Sequence, residues 1–200
     1  MVRDSQKSLP FTLAFRVPHD FRKFISACNR KLSEVCRSFE PIETAHITVK
    51  FLGHSSDHLN EDSIIDYLPA IYATARKYLP LSIYVRGFST FQYEKNRNSV
   101  IFLKVMPNEK LNRFHQEICE VFSDAFDIFP HADQENFEPH LTLSKDLYPG
   151  KDQQIARLIT RSHKMAKRLL KLDDLVVMSP NRFFPVQSQI NRPLICPPVR

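Results

Sequence analysis

Two stretches of the sequence, AHITVKFLG at residues 45–53 and FEPHLTLSK at residues 137–145, decide the fold because they repeat one pattern. Each stretch contains a histidine, an apolar residue, a threonine and a second apolar residue, an alternation that is typical of a half-buried strand. Successive side chains of a strand point to opposite faces, so the histidine and threonine share one face while their apolar neighbours face the core. The four polar residues are His46, Thr48, His140 and Thr142.

The elements around the two motifs follow the same order, strand–helix–strand–helix–strand, in each half of the chain. The predicted strands are residues 11–17, 45–51, 81–85, 99–105, 140–144 and 172–178, and the predicted helices are residues 21–35, 64–75, 111–122 and 155–165. We expect Pro69 to kink or interrupt the second helix and Asn108 to cap the third. Equivalent elements lie about 90 residues apart, which indicates an internal duplication.

This order predicts an α+β protein with two duplicated β-α-β-α-β lobes, related by pseudo-twofold symmetry, whose antiparallel-rich sheets line a central cleft. We treat residues 1–200 as one domain, with a first lobe at about residues 9–90, a second at about residues 91–187 and a tail at residues 188–200. A strand pair with a polar turn, near residues 87–98, is expected to join the lobes. The pseudo-twofold axis would bring the two histidine–threonine faces together across the cleft.

Composition narrows the class of protein without naming a function. The chain has 28 Lys and Arg against 22 Asp and Glu, a net charge of +6, which permits an anionic partner but does not identify one. With 42% hydrophobic and 25% charged residues it has a globular balance. It lacks the ~20 continuous apolar residues of a spanning helix and a signal-peptide pattern near its start. Its four cysteines form no C-x-x-C pair, so we expect reduced, buried thiols in a cytoplasmic protein with no membrane association.

Two opposed histidines suit phosphodiester chemistry. Because histidine titrates near neutral pH, one imidazole can be neutral while the other is protonated. The neutral ring of His46 or His140 would take a proton from the attacking water or hydroxyl, and the protonated ring would give one to the leaving oxygen. The hydroxyls of Thr48 and Thr142 would donate hydrogen bonds to the non-bridging phosphate oxygens. This chemistry requires no metal, and we predict neither a metal site nor a cofactor.

The two motifs resemble the paired H-x-[T/S]-x motifs, or HxTx motifs, of the 2H phosphoesterase superfamily. Residues 45–53 are similar to the first motif block of its LigT-like branch, the 2′-5′ RNA ligases and RNA 2′,3′-cyclic phosphodiesterases, and residues 137–145 resemble the second block, F-x-P-H-L-T-L. The resemblance covers about residues 9–187. It implies a bilobal α+β fold with the motifs facing each other in a groove. It also implies a role in RNA processing, on RNA ends with 2′,3′-cyclic phosphates, 2′-5′-linked nucleotides or related small phosphodiesters.

Five further residues are candidates for substrate binding. Strand alternation places Lys50 on the face of His46 and Ser144 on the face of His140, where both would meet phosphate, whereas Lys145 falls on the opposite face unless a bulge redirects it. Tyr93 and Phe91, in the segment between the lobes, could stack on a base. The other histidines receive no role, and we discount zinc at His54 and His58 because no third ligand accompanies them. These histidines are His19, His54, His58, His115, His131 and His163.

The leading hypothesis is a metal-independent phosphodiesterase, and it leaves three alternatives open. A zinc or di-metal phosphoesterase would need carboxylates clustered with histidines near the motifs, and the sequence has none there. A nucleotide- or RNA-binding module with the same cleft but no catalysis is the alternative from another class. A slow RNA ligase would use the same two histidines in exchanged roles. We expect a monomer, because the duplication completes the site within one chain.

Overall fold

The computed structural model describes residues 10–56, 59–94, 97–126, 129, 132–179 and 182–186, with residues 92–94, 97–99 and 134 described by their backbone alone. The strands are β1 (Pro10–Arg16), β2 (Cys36–Ser38), β3 (His46–His54), β4 (Leu81–Glu94), β5 (Arg97–Val105), β6 (His140–Ser144), β7 (Asp146–Leu147), β8 (Arg168–Leu172), β9 (Leu175–Ser179) and β10 (Arg182–Pro185). The α-helices are α1 (Arg22–Leu32), α2 (Glu61–Ala75), α3 (Glu109–Val121) and α4 (Asp152–Ser162). The predicted tail, residues 188–200, lies outside the described residues.

Two four-stranded antiparallel sheets form the frame of the molecule. The first has the strand order β10-β9-β1-β3, and the second has the order β8-β4-β5-β6. When the strands are counted from β10 in the first sheet and from β8 in the second, they correspond in order. The third strands, β1 and β5, are therefore equivalent, and so are the fourth strands, β3 and β6. This is the duplicated α+β architecture that the sequence predicts. A short β2-β7 ribbon accompanies the two sheets.

The sheets differ from a simple division of the chain into halves. The predicted lobes meet at about residue 90, but β4 pairs with β5 in the second sheet, whereas β9 and β10 pair with β1 in the first. β4 belongs to the second sheet because it forms a hairpin with β5, and a hairpin keeps both of its strands in one sheet. The predicted strand at residues 172–178 comprises the last residue of β8 and most of β9, and the chain passes between the sheets at Asp173 and Asp174.

Side chains satisfy free N–H groups at the starts of α2 and α3. Asn108 caps α3 by accepting a hydrogen bond from the Leu111 N–H at 2.9 Å, as the sequence predicts. Asn60 and Ser63 form a reciprocal capping box at the start of α2. Pro69 lies inside α2 without interrupting it, contrary to one of the two outcomes expected from sequence. Because α2 buries apolar side chains on both sides of the proline, packing holds its two parts in one helix.

One continuous cluster of buried apolar side chains joins both sheets to all four helices. Each sheet turns one face to this cluster, as Leu13 of β1 and Leu103 of β5 illustrate, and both side chains have no solvent exposure. The opposite faces are left to form the cleft. Among the described residues, Cys28, Cys36 and Cys119 form no disulfide with one another. No helix within the described residues has the length and apolar character that crossing a bilayer requires.

Candidate active site

The two histidine–threonine motifs lie on adjacent sheet edges. His46 and Thr48 are on β3, the edge strand of the first sheet, and His140 and Thr142 are on β6, the edge strand of the second. These two edges lie against each other. All four side chains are partly exposed, while the apolar residues between them are buried. The fold therefore brings two imidazoles and two hydroxyls to one cleft.

Each imidazole is held in the same way by the chain just before it. The Nδ1 atom of His46 lies 2.9 Å from the carbonyl oxygen of Thr44, and that of His140 lies 2.8 Å from the carbonyl oxygen of Glu138. A carbonyl only accepts hydrogen bonds, so Nδ1 carries the proton in both rings. The free Nε2 atom then presents a lone pair in the neutral ring and a proton in the charged one, and this is what a base and an acid need.

Burial lowers the pKa of both histidines below the ordinary value of 6.5. Desolvation is the largest cause for each ring, and the hydrogen bond to the backbone carbonyl opposes it. The positive charge of Lys145 further lowers both pKa values, and His46 further lowers that of His140. Glu40 raises the pKa of His46, and Glu138 raises that of His140. Each histidine thus lies within electrostatic reach of Lys145, and His140 within reach of His46.

Two phenylalanines support the ring of His140. The Phe91 ring meets it edge-on at a centroid distance of 4.8 Å, and the Phe102 ring lies 5.0 Å from it. The same two phenylalanines stack on each other at 4.4 Å. The structure therefore places Phe91 against the imidazole, where it restricts the orientation of His140. The side chain of Tyr93, the other aromatic residue predicted to stack on a base, lies outside the described part of the structure.

A bulge in each motif strand changes which residues face the cleft. In the β1–β3 pairing, Ala14 is opposite Thr48 and Leu13 is opposite Lys50, so Val49 is the extra residue. In the β5–β6 pairing, Phe102 is opposite Thr142 and Ile101 is opposite Ser144, so Leu143 is the extra residue. An extra residue reverses the alternation of the side chains that follow it. The duplication therefore extends to an equivalent bulge directly after each threonine.

These bulges change the predicted faces of Lys50 and Ser144, and the second bulge is the exception that the prediction allowed for Lys145. Lys50 and Ser144 do not line the cleft: their exposures are 2% and 0%, and both turn towards the core. Lys145, which simple alternation places on the far face, is 62% exposed and influences the histidines of both motifs. Its ammonium lies 3.4 Å from the Glu40 carboxylate. Of the two predicted lysines, Lys145 is therefore exposed and Lys50 is buried.

Lys50 takes part in a buried polar network behind β3. Its ammonium pairs with the Asp133 carboxylate, which also accepts a hydrogen bond from the Phe129 N–H at 2.8 Å. His115 contacts the Val49 carbonyl through Nδ1 at 2.7 Å, and its ring stacks on Phe137 at 3.9 Å. This network joins β3 to the segment that leads into β6, and neither the motifs nor the periodicity indicated it.

Three donor groups of this network could surround a metal ion. His115, Cys119 and Asp133 place one ligand atom each within 4.8 Å of the others. The ammonium of Lys50 lies against the same Asp133 carboxylate, however, and its positive charge would repel a cation there. The Cys119 sulfur already contacts the His115 Nε2 atom at 3.5 Å. We therefore interpret the cluster as structural.

The sequence matches the family model of the 2′-5′ RNA ligase superfamily over residues 17–182. A candidate phosphoesterase of Geobacillus kaustophilus (strain HTA426) is 30% identical over 105 residues, which is 52% of this chain and 53% of the relative. The chain thus spans about half the length of the curated relative that it matches.

Solved structures share the fold at lower identity. The Escherichia coli LigT structure in complex with 3′-AMP has a TM-score of 0.58 and 15% identity, and the match covers 90% of this chain and 95% of LigT. A Thermus thermophilus protein has a TM-score of 0.55 and 18% identity, with 89% and 98% covered. A conserved Agrobacterium tumefaciens protein has a TM-score of 0.57 and 15% identity, with 89% and 84% covered. Other structures show LigT in complex with ATP and with phosphate.

Proposed function

The chain belongs to the 2′-5′ RNA ligase superfamily of 2H phosphoesterases, and from this premise we propose that it is a metal-independent phosphodiesterase. Its substrates are 2′,3′-cyclic phosphates or 2′-5′ linkages, at RNA ends or in small nucleotides. The observation that carries this proposal is the matched anchoring of His46 and His140 through Nδ1, which leaves the Nε2 atom of each ring without a hydrogen bond to the described residues. The complexes of LigT with 3′-AMP and ATP support a nucleotide as the ligand.

The reaction needs one neutral and one protonated imidazole. A water oxygen forms a bond to phosphorus while its proton passes to the Nε2 atom of the neutral ring. The bond between phosphorus and the ribose 2′ or 3′ oxygen breaks, and that oxygen takes the proton of the charged ring. His46 and His140 fill these two roles, and the position of the remaining phosphate identifies which oxygen leaves.

Two hydroxyls and one cation stabilise the charge that grows on phosphate. Thr48 and Thr142 lie two residues beyond the histidines on the same strand faces, so each donates a hydrogen bond to a non-bridging oxygen. Lys145 adds positive charge beside both rings. Because desolvation strengthens each of these interactions, the partly buried cleft favours the transition state over the same groups in water.

The same groups would serve ligation, in which a 5′-hydroxyl replaces water, gives its proton to the neutral ring and attacks a 2′,3′-cyclic phosphate, while the ribose 3′ oxygen leaves with the proton of the charged ring. This step is the reverse of the cleavage of a 2′-5′ linkage by the neighbouring 3′-hydroxyl, in which the two histidines exchange the roles of acid and base. Membership of the 2′-5′ RNA ligase superfamily supports ligation as a second candidate activity. We further propose a monomer, because residues of one chain complete the site, and a cytoplasmic location, in line with cysteines that form no disulfide among the described residues.

The proposal is tested by incubating the protein, in excess chelator, with a short RNA that ends in a 2′,3′-cyclic phosphate. Mass spectrometry follows the end group, and addition of a 5′-hydroxyl RNA reports ligation. We expect a gain of one water by wild type and none by the His46→Ala/His140→Ala variant. His163→Ala is the matched control, because this exposed histidine caps α4 only through its backbone. Nucleotide binding without turnover by wild type would support a binding module instead.

A further inference from the structure

Each motif histidine has a basic residue as its direct partner on the neighbouring strand. Arg16 of β1 is opposite His46, and Lys104 of β5 is opposite His140. Residues directly opposite each other in an antiparallel pair share one face of the sheet. Both basic side chains therefore rise from the cleft face beside the site. Because β1 and β5 are equivalent strands of the duplication, Arg16 and Lys104 occupy equivalent positions in the two sheets.

The surroundings of both cations leave them accessible to a ligand. The Arg16 side chain is 37% exposed, and its guanidinium lies 5.2 Å from the centre of the Phe183 ring. One of its nitrogens lies 3.5 Å from the carboxylate of Asp174, which is itself 48% exposed. An exposed pair of this kind contributes little free energy, so a phosphate can replace Asp174. Lys104 is exposed on β5.

The two cations act outside the reacting centre. β3 and β6 meet at their edges, and β1 and β5 each lie one strand further from this contact. Arg16 and Lys104 are therefore one strand further out than His46 and His140, on the two sides of the cleft.

Resting on the proposed function, we propose that Arg16 and Lys104 bind the backbone phosphates on the two sides of the reacting phosphate. The substrate is then an oligonucleotide that crosses both sheets, rather than a mononucleotide. An RNA end with a cyclic phosphate continues on one side only and engages one of the two cations. An internal 2′-5′ linkage continues on both sides and engages both.

Binding of a single-stranded RNA of about nine nucleotides with one central 2′-5′ linkage tests this inference. Fluorescence anisotropy is measured at several salt concentrations, in the His46→Ala/His140→Ala background so that the RNA stays intact. Arg16→Gln and Lys104→Gln are each expected to weaken binding about tenfold, the loss of one charged hydrogen-bond partner. Each should also reduce the slope of log affinity against log salt by about 0.7, the value for one phosphate contact on a single strand.

Two further variants separate this role from other effects. Arg157→Gln removes the same charge from the exposed face of α4 and should leave affinity and salt slope near those of the background. Arg16→Lys keeps the charge and should restore most of the salt slope. The inference is overturned if Arg16→Gln and Lys104→Gln both behave like Arg157→Gln. If only one of the two weakens binding, the proposal that the RNA contacts a cation on both sides of the reacting phosphate is overturned.

A separate turnover assay tests the proposed function independently of RNA binding. Wild type is assayed with 2′,3′-cyclic AMP, which has no flanking phosphate and does not depend on a chain path. Absence of turnover with this nucleotide, with the cyclic-ended RNA and with the RNA that contains the 2′-5′ linkage would contradict the proposed function while leaving the anisotropy result intact. Turnover of 2′,3′-cyclic AMP with no effect of the two substitutions on RNA binding would contradict the inference alone.

Discussion

Lys50 and Asp133 form an ion pair in which the two side chains are only 2% and 3% exposed. Lys50 is four residues beyond His46 on the strand of the first motif, and Asp133 is seven residues before His140. The pair therefore joins the strand of one motif to the segment that leads into the other. A buried charge that loses its partner is costly, so this pair should be needed for the folded state.

Substitution of Lys50 by methionine should lower the free energy of unfolding by roughly 3–5 kcal/mol, because Asp133 is left buried without its partner. The double variant Lys50→Met/Asp133→Leu should recover a large part of this loss. Lys77→Met is the control, since Lys77 makes an ion pair while 60% exposed and should cost at most about 1 kcal/mol. Urea denaturation measures the free energy of unfolding of all three variants. A Lys50→Met protein that is as stable as wild type but binds phosphate more weakly would contradict the structural role and indicate that Lys50 contacts substrate.

Glu40 and Lys145 should shift the pKa of His46 in opposite directions. Lys145 lowers this pKa and Glu40 raises it. Lys145→Gln should therefore raise the pKa of His46 and of His140, whereas Glu40→Gln should lower that of His46. Proton NMR titration of the imidazole Cε1–H signals measures both. Shifts of the same sign in the two variants would show that they act through a change of structure rather than through charge.

Phe91 should act as a positioning residue for His140. Phe91→Leu removes the edge-on ring contact and part of the apolar surroundings, so kcat should fall roughly tenfold with little change in KM. Because desolvation is the main cause of the lowered pKa of His140, this pKa should rise. Phe24→Leu is the control, since Phe24 contacts Phe21 and Arg168 instead. A rise in KM without a shift in the pH profile would assign Phe91 to base stacking.

The pH dependence follows from the lowered pKa values of both histidines. In the free enzyme the acid must be protonated, and the fraction that is protonated falls as the pH rises through its pKa. Because both pKa values lie below 6.5, kcat/KM should decline on the alkaline side with a midpoint below pH 6.5. The alkaline decline of kcat should lie at higher pH, since bound phosphate stabilises the imidazolium. A level kcat/KM profile through pH 8 would contradict this assignment.

The sequence predicts the fold through residues whose effect is local. The alternation around His46 and His140 indicates two strands, and their repetition at about 90 residues predicts the duplicated α+β architecture. The capping role of Asn108 is also local, because its side chain needs only the N–H group three residues later. The exchange of β4 and β9 between the sheets is not local, and strand periodicity carries no information about it.

The candidate site shows the same division between local and non-local causes. Alternation places the two histidines and the two threonines correctly on one face, but it fails for Lys50 and Ser144 because a bulge follows each threonine. A bulge depends on the register of the partner strand, which one sequence does not reveal. The partner of Lys50, Asp133, is 83 residues away in sequence, so strand periodicity does not indicate the pair. Glu40, which raises the pKa of His46, lies before β3, where alternation says nothing about side-chain position.

The central claim, that one imidazole is the base and the other the acid, is tested most directly by changing the leaving group. Wild type, His46→Ala and His140→Ala are compared on a ribose 2′,3′-cyclic phosphate and on a nucleotide p-nitrophenyl phosphodiester, whose leaving group needs no proton. Both variants should lose about 10²–10⁴-fold in kcat/KM on the cyclic phosphate. On the p-nitrophenyl ester, the variant that lacks the acid should return to within about tenfold of wild type, while the variant that lacks the base should stay impaired. Equal behaviour of the two variants on both substrates would contradict the division of roles between His46 and His140.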